Sequence, residues 1–228
     1  MAETVQQGTL YIVATPIGNL DDISYRAVRI LSEVDLIAAE DTRKTKILLD
    51  RFHIHKNLLS YHNFNERQRA GQLIQKLKSG TSIALVSDAG TPGISDPAYR
   101  VVHDAIKENI VVVPVPGASA FLAALVVSGM PMEKFVYEGF LPHKKGRKTR
   151  LEQLAREDRT IILYESPHRI LRALQDILAI LGDRHIVIAR ELTKKFEEVL
   201  RGKTSELIDR ISSRPLKGEF VIVISPVP

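Results

Sequence analysis

Residues 87–97 read Ser-Asp-Ala-Gly-Thr-Pro-Gly-Ile-Ser-Asp-Pro, which sets two carboxylates, Asp88 and Asp96, among glycines, prolines and small hydroxyl residues. An apolar run at 83–86 leads in, and a helix-like segment beginning near Pro97 leads out. A strand that ends in small residues before a helix is a ligand-binding layout. Glycine lets a bound molecule approach the backbone, and ligands of open α/β sheets sit outside the carboxyl ends of the strands. The competing reading is a plain turn in which Asp96 caps the helix. Four more stretches follow apolar runs in the same way: 14–20 (Ala-Thr-Pro-Ile-Gly-Asn-Leu), 39–43 (Ala-Glu-Asp-Thr-Arg), 116–120 (Pro-Gly-Ala-Ser-Ala) and 164–169 (Tyr-Glu-Ser-Pro-His-Arg). In one parallel sheet the first three would share an edge with the 87–97 loop, and such convergence points to a site.

A second kind of chemistry lies at residues 142–150, Pro-His-Lys-Lys-Gly-Arg-Lys-Thr-Arg, with five Lys or Arg between 144 and 150. Such a cluster attracts phosphates by charge and counterion release without reading sequence; the alternative is a solvated helix face. It is not a phosphate-binding P-loop, because the glycine required five residues before Gly146 is Leu141. No G-x-G-x-x-G follows the first strand and no G-x-S-x-G occurs, which argues against a dinucleotide site and a hydrolase elbow. His53 and His55 lack an obvious third metal ligand.

The elements that must position these loops alternate. Strands are expected at 10–14, 35–39, 58–61, 83–86 and 110–113, and helices at 24–31, 42–52 (capped by Asp41 or Thr42), 65–78 and 97–107. Pro114, Pro116 and Gly117 break regular structure and mark the domain boundary, giving domains 1–115 and 116–228. The second half reads as a small-residue helix, strands near 135–137 and 161–164, helices after Gly146 and at 167–181, and a strand at 185–189. A hairpin around 197–200, a helix at 204–211 and a last strand at 220–224 complete it. Strand–helix alternation argues a mostly parallel or mixed sheet flanked by helices in each domain.

At 228 residues, 44% hydrophobic and 26% charged, the chain can bury a real core. It has no cysteine, which excludes thiolate nucleophiles and disulfides and is compatible with a reducing cytoplasm. No apolar run approaches the ~18 residues of a membrane span. The net charge of +5 is unevenly spread: residues 1–117 carry 13 Lys+Arg against 13 Asp+Glu, residues 118–228 carry 19 against 14. An anionic partner held mainly by the second half fits this asymmetry. Aromatics are only 6%, so a stacking platform for single-stranded RNA would rest on a few residues such as Tyr61, Tyr137 or Phe140.

Taken together, residues 8–20, 39–43, 87–97, 116–120, 164–169 and 189–194 (Ala-Arg-Glu-Leu-Thr-Lys) resemble the tetrapyrrole methylase superfamily, and within it the branch that methylates small-subunit ribosomal RNA. The resemblance spans nearly the whole chain, from Gly8 to about Ile224. It implies a two-domain α/β fold with S-adenosylmethionine in a cleft between the domains, a homodimer acting in the cytoplasm, and 16S rRNA or the small ribosomal subunit as partner. The implied reaction is methylation of the ribose 2′-hydroxyl of a cytidine in the decoding region. By the resemblance, members usually continue past the last strand with a short helical segment; its lack here favours a truncated chain over a natural terminus.

By the same resemblance Pro16, Ile17, Gly18, Asp88, Ala89, Gly90, Thr91, Ser119, Ala120, Leu163 and Tyr164 would line the cofactor. S-adenosylmethionine carries its own activated methyl group, so no metal is needed. A ribose hydroxyl needs its proton removed, which a general base aids by ~10²–10⁴. Glu165 and His168 are the candidates from the second half, and Asp88 or Asp41 from the first. The competing reading gives Glu165 to an ion pair with Arg169 and His168 to solvent. Phosphate contacts would come from Arg43, Lys144, Lys145, Arg147, Lys148, Arg150, Arg190 and Lys194, with Lys44, Lys195 and Arg201 as extensions. A methylase of a polycarboxylate tetrapyrrole and a noncatalytic RNA-binding module are the alternatives. The basic cluster favours RNA over the first, and S-adenosylmethionine binding would separate the enzyme from the second.

Overall fold

Five short apolar runs of the first half pair only in parallel. β1 (Leu10–Val13), β2 (Leu36–Ala39), β3 (Leu58–Ser60), β4 (Ile83–Val86) and β5 (Val112–Val115) lie in the order β3-β2-β4-β1-β5. β4 is buried at all four positions, as a central parallel strand covered on both faces must be. α1 (Tyr25–Glu33) and α2 (Thr42–Arg51) put Ala27, Ile30, Leu31 and Leu49 into a core with Tyr11, Val13, Ile37 and Val86. α3 (Glu66–Lys78) and α4 (Tyr99–Lys107) form a second core, with Leu73, Leu77, Val101 and Ala105 against Leu10, Ile83 and Leu85. Alternate residues of one strand thus feed opposite layers.

The computed structural model describes residues 4–227 and divides into two compact units, Met1–Ser119 and Ala120–Pro228. The second unit holds α5 (Ala120–Val126), β6 (Phe135–Phe140), α6 (Arg147–Leu154), β7 (Thr160–Glu165) and α7 (Ile170–Leu181). It continues with β8 (His185–Arg190), β9 (Glu198–Lys203), α8 (Thr204–Ser212) and β10 (Phe220–Ile224). Its sheet runs β6-β7-β10-β8-β9, and only the β6–β7 pair is parallel. The mostly parallel sheet inferred from alternation therefore holds for the first unit, while the second is mixed and mainly antiparallel. The β8–β9 hairpin and the return of β10 between β7 and β8 make it so. α6, α7 and α8 cover one face; α5 covers the other with Ala124 and Leu125.

Among the boundaries that depart from the sequence reading, two have a clear local reason. The fifth strand starts at Val112 rather than 110, because Asn109 takes a left-handed turn (φ 57°) and Ile110 N donates to Ala105 O, closing α4. Pro114 is tolerated inside this strand because β5 is the sheet edge. α4 begins at Tyr99 behind Ala98, with no side-chain cap, so Asp96 does not cap it.

Candidate active site

The carboxyl ends of β1, β4 and β5 are tied into one edge of the first unit. Thr15 and Gly90 exchange both backbone hydrogen bonds at 2.9 Å, Thr15 Oγ1 donates to Ser87 O at 3.3 Å, and Thr91 Oγ1 donates to Ala118 O at 3.2 Å. Gly90 adopts φ +80°, and a Cβ there would stand 3.4 Å from Ile17 Cγ2; one on Gly117 would stand 3.0 Å from Ala14 Cβ. Glycine is thus required for the loops to close together. Pro16, Ile17, Gly18, Asp88, Ala89, Gly90, Thr91 and Ser119 all belong to this edge. The Ser119 hydroxyl is buried and has no hydrogen-bond partner among the described residues, an open valence at the site.

The β2 end joins through carboxylates. Asp88 Oδ1 accepts from Asp41 N at 2.9 Å, its Oδ2 pairs with Lys44 Nζ at 2.7 Å, and its own N–H donates to Glu40 Oε2 at 3.2 Å. Both Asp88 oxygens are therefore engaged. Asp41 caps α2 through Arg43 N, and its bonds with Arg43 hold its carboxyl well below the usual range. Burial raises Glu40 above its ordinary value, as does the nearby Asp88 charge. Asp96 is pushed up to about 7, by burial first and then by Glu40 and Asp88. A carboxyl that gains and loses a proton near neutrality beside two others is poised for a cationic ligand. Glu40 and the titration of Asp96 escaped the sequence reading; the Glu-Asp after β2 was the available signal.

In the second unit the β7 end is closed by opposite charges, although Glu165 Oε2, Arg147 Nη2 and Arg169 Nη1 are buried there without a hydrogen-bond partner among the described residues. Glu165 is 3% exposed. Its Oε1 accepts from Ser166 N at 2.8 Å and pairs with Arg169 Nη2 at 2.7 Å, while Oε2 lies 3.6 Å from Arg147 Nη1. Arg147 Nε in turn pairs with Asp176 Oδ2 at 2.7 Å. This network pins the start of α6 and the turn before α7. His168 on that turn is exposed. Leu163 is buried in the core, Ala120 opens α5, and Tyr164 accepts through its hydroxyl from Phe121 N at 3.1 Å.

The predicted phosphate contacts divide. Arg43, Lys144, Lys145 and Lys148 are exposed. Arg147, at 6% exposure and inside the Glu165 network, must be corrected: it is a buried ion-pair partner. Arg150 holds Glu138 with Nε and Nη2, both at 2.5 Å. Arg190 donates to Lys217 O and pairs with Glu198, and Lys194 bridges Glu191 and Glu219 at 2.8 and 2.9 Å. These three brace their own loops. Among the extensions, Lys44 pairs with Asp88 and Arg201 donates to Val127 O; Lys195 is exposed.

The model of the tetrapyrrole (corrin/porphyrin) methylases matches residues 9–208. The chain belongs to the tetrapyrrole methylase family. Among the similar relatives of this methylase is the ribosomal RNA small subunit methyltransferase I of Halalkalibacterium halodurans, 52% identical over 96% of this chain and 76% of the relative. Proteins of the same name from Thermotoga maritima and Escherichia coli O157:H7 are each 50% identical over 96% of this chain, covering 98% and 78% of their own lengths. Among solved structures, a diphthine synthase superposes with a TM-score of 0.72 at 17% identity, covering 95% of this chain and 90% of that one. A cobalt precorrin-4 methyltransferase superposes with 0.69 at 17% identity, covering 96% and 95%. These two establish the shared fold.

Proposed function

We infer that this methylase is an S-adenosylmethionine-dependent methyltransferase of small-subunit ribosomal RNA. The observation that carries the reading is about 50% identity over 96% of the chain to relatives that bear that name. The finer target, the ribose 2′-hydroxyl of a cytidine in the decoding region, is part of the proposal, as are a homodimer and action in the cytoplasm. Exposed Leu122, Val126 and Val127, on and just after α5, support a self-contact. No helix among the described residues is long and apolar enough to cross a membrane.

The first unit's edge fits the cofactor. S-adenosylmethionine is cationic at sulfur and at its ammonium, and the carboxyls of Glu40, Asp88 and Asp96 give that edge a negative field. The partnerless Ser119 hydroxyl can take a polar atom of the ligand, and Gly90 and Gly117 keep the backbone close-packed around Ala14 and Ile17. When bound, the cofactor supplies a methyl group already activated for transfer. The protein's task is alignment of the acceptor oxygen in a dry site, worth ~7–11 kcal/mol. Of the four catalytic candidates, Glu165, Asp88 and Asp41 are held in ion pairs, and His168 is the most exposed to a substrate arriving from solvent. Lys144, Lys145 and Lys148 remain as an exposed basic face for RNA phosphates.

The test is transfer of label from methyl-labelled S-adenosylmethionine to unmethylated small ribosomal subunits, with the modified nucleotide located by primer extension. Label on one decoding-region cytidine ribose is the expected result. Label on a uroporphyrin-type substrate instead, or on neither, refutes the reading.

A further inference from the structure

Of the three aromatic residues named above as stacking platforms, Phe140 is 51% exposed with its ring edge-on to Tyr164, and the other two are poorly placed for it. Tyr61 is 0% exposed, and Tyr137 is packed against Phe121 and Tyr164. The turn after β3 nevertheless carries a ring in open solvent: Phe64 is 100% exposed. The turn itself is firmly held. Asn65 N and Glu66 N both donate to His62 O, at 2.9 and 2.8 Å, and Asn65 Oδ1 accepts from His62 N at 2.8 Å. Asn65 Nδ2 donates to Ser60 O at 3.2 Å. Those two backbone partners fix the amide, and Nδ2 also lies 3.2 Å from His62 Nε2. Nδ1 is buried without a hydrogen-bond partner. The imidazole in turn meets Phe64 edge to face, with centroids 6.0 Å apart at 67°.

The sheet register places this turn beside the β2 loop. Ala39 pairs with Ser60, and Tyr61 N donates to Ala39 O at 2.8 Å. The turn after β3 therefore leaves the sheet beside the start of the β2 loop, in which the Arg43 side chain is 88% exposed and extends Nη1 outside its pair with Asp41. β3 is the outermost strand on the β2 side, so this end of the edge lies away from the tied β1, β4 and β5 loops. An exposed aromatic on a held turn, on the same sheet edge as an exposed guanidinium, suits one class of ligand, a single strand of nucleic acid, which offers a base to stack and a phosphate to pair. A protein partner is a poorer match. Phe64 is flanked by exposed Asn63 and Arg67 and half-buried Asn65, not by a continuous apolar patch.

We propose that Phe64 is the stacking platform for an unpaired nucleobase of the RNA substrate, with Arg43 on the same sheet edge taking a phosphate of that strand. The proposal rests on the ribosomal RNA reading above. Its test is steady-state methyl transfer to unmethylated small subunits by Phe64→Ala, Phe64→Leu and Phe64→Tyr, with calorimetric S-adenosylmethionine affinity and light scattering on each. Loss of one stacked base raises KM for the subunit about tenfold in Phe64→Ala. Phe64→Leu stays close to Phe64→Ala, Phe64→Tyr returns to within about twofold of the parent, and cofactor affinity and oligomeric state do not move. A KM for Phe64→Ala within about twofold of the parent overturns the proposal and leaves the ribosomal RNA reading standing. A changed oligomeric state overturns it by assigning the ring to a self-contact. A parent protein that transfers no methyl to the subunit overturns both.

Discussion

The two units carry similar-looking loops after their strands and use them in opposite ways. At the carboxyl edge of the parallel sheet, carboxylates crowd one another, Asp96 titrates near 7, and the Ser119 hydroxyl is buried without a partner. At the end of β7, Glu165 is buried among Arg147 and Arg169, and Asp176 completes the chain of ion pairs. Both hold buried polar atoms without a hydrogen-bond partner among the described residues, Ser119 Oγ in the first and Glu165 Oε2, Arg147 Nη2 and Arg169 Nη1 in the second, so the difference lies in charge: the first sets Asp96 among like charges. The second is charge-compensated by the fold and locks two helices to a strand. Burial alone does not distinguish Asp96 from Glu165; the sign of the nearest charges does, Glu40 and Asp88 for the first, Arg147 and Arg169 for the second.

The comparison breaks most visibly at Arg147. Arg147→Ala leaves Glu165 buried with one guanidinium fewer and should cost about 3–5 kcal/mol. Read as a melting temperature, that is a fall of about 10 °C or more. An unchanged melting temperature with weaker RNA binding would return Arg147 to the phosphate-contact reading. Glu165→Gln comes next. As a clamp, Glu165 should lose about 1–3 kcal/mol of stability on amidation, while turnover per folded molecule stays within a few-fold. A loss of turnover by ~10²–10⁴ would make it the base. Gly90→Ala should cost about 1–2 kcal/mol, because a side chain at positive φ is strained, and it crowds Ile17; the denaturation midpoint reads it. Converting Lys144, Lys145 and Lys148 to Glu should leave stability within about 0.5 kcal/mol and flatten the salt dependence of RNA binding by about two in slope. An unaltered slope would make these lysines an ordinary solvated face.

Much of this was legible in the sequence. The alternation of apolar runs with helical periods located the elements, and small-residue stretches after strands marked the loops that Thr15, Gly90 and Thr91 tie together. What escaped depended on which way a side chain faces. The 144–150 cluster read as one basic patch, yet Arg147, Leu151 and Leu154 follow one another at helical spacing and share the buried face of α6. Asp96 looked like a helix cap, but Ser95 at φ 66° turns the chain before α4 begins. Glu40 and Asp88 lie 48 residues apart and meet only because β2 and β4 pair in register. Strand order is a tertiary fact, and so is the crowding that raises Asp96.

The sharpest test of a like-charged edge in the first unit against a charge-compensated one in the second is calorimetric titration of S-adenosylmethionine into the parent and Asp96→Asn between pH 5.5 and 8. A carboxyl that titrates near 7 must lose its proton to meet a cation, so parent and variant should bind alike at pH 5.5. They should then separate as pH rises through 7, by about tenfold at pH 8 for one charged partner lost. The ligand's own titration is common to both curves and cancels in the comparison. The same carboxyl makes folding of the ligand-free parent less favourable as pH rises from its unfolded value toward 7, so Asp96→Asn should gain in relative stability over that range. Equal affinities at every pH would contradict the account and move the cofactor away from the Glu40, Asp88 and Asp96 edge.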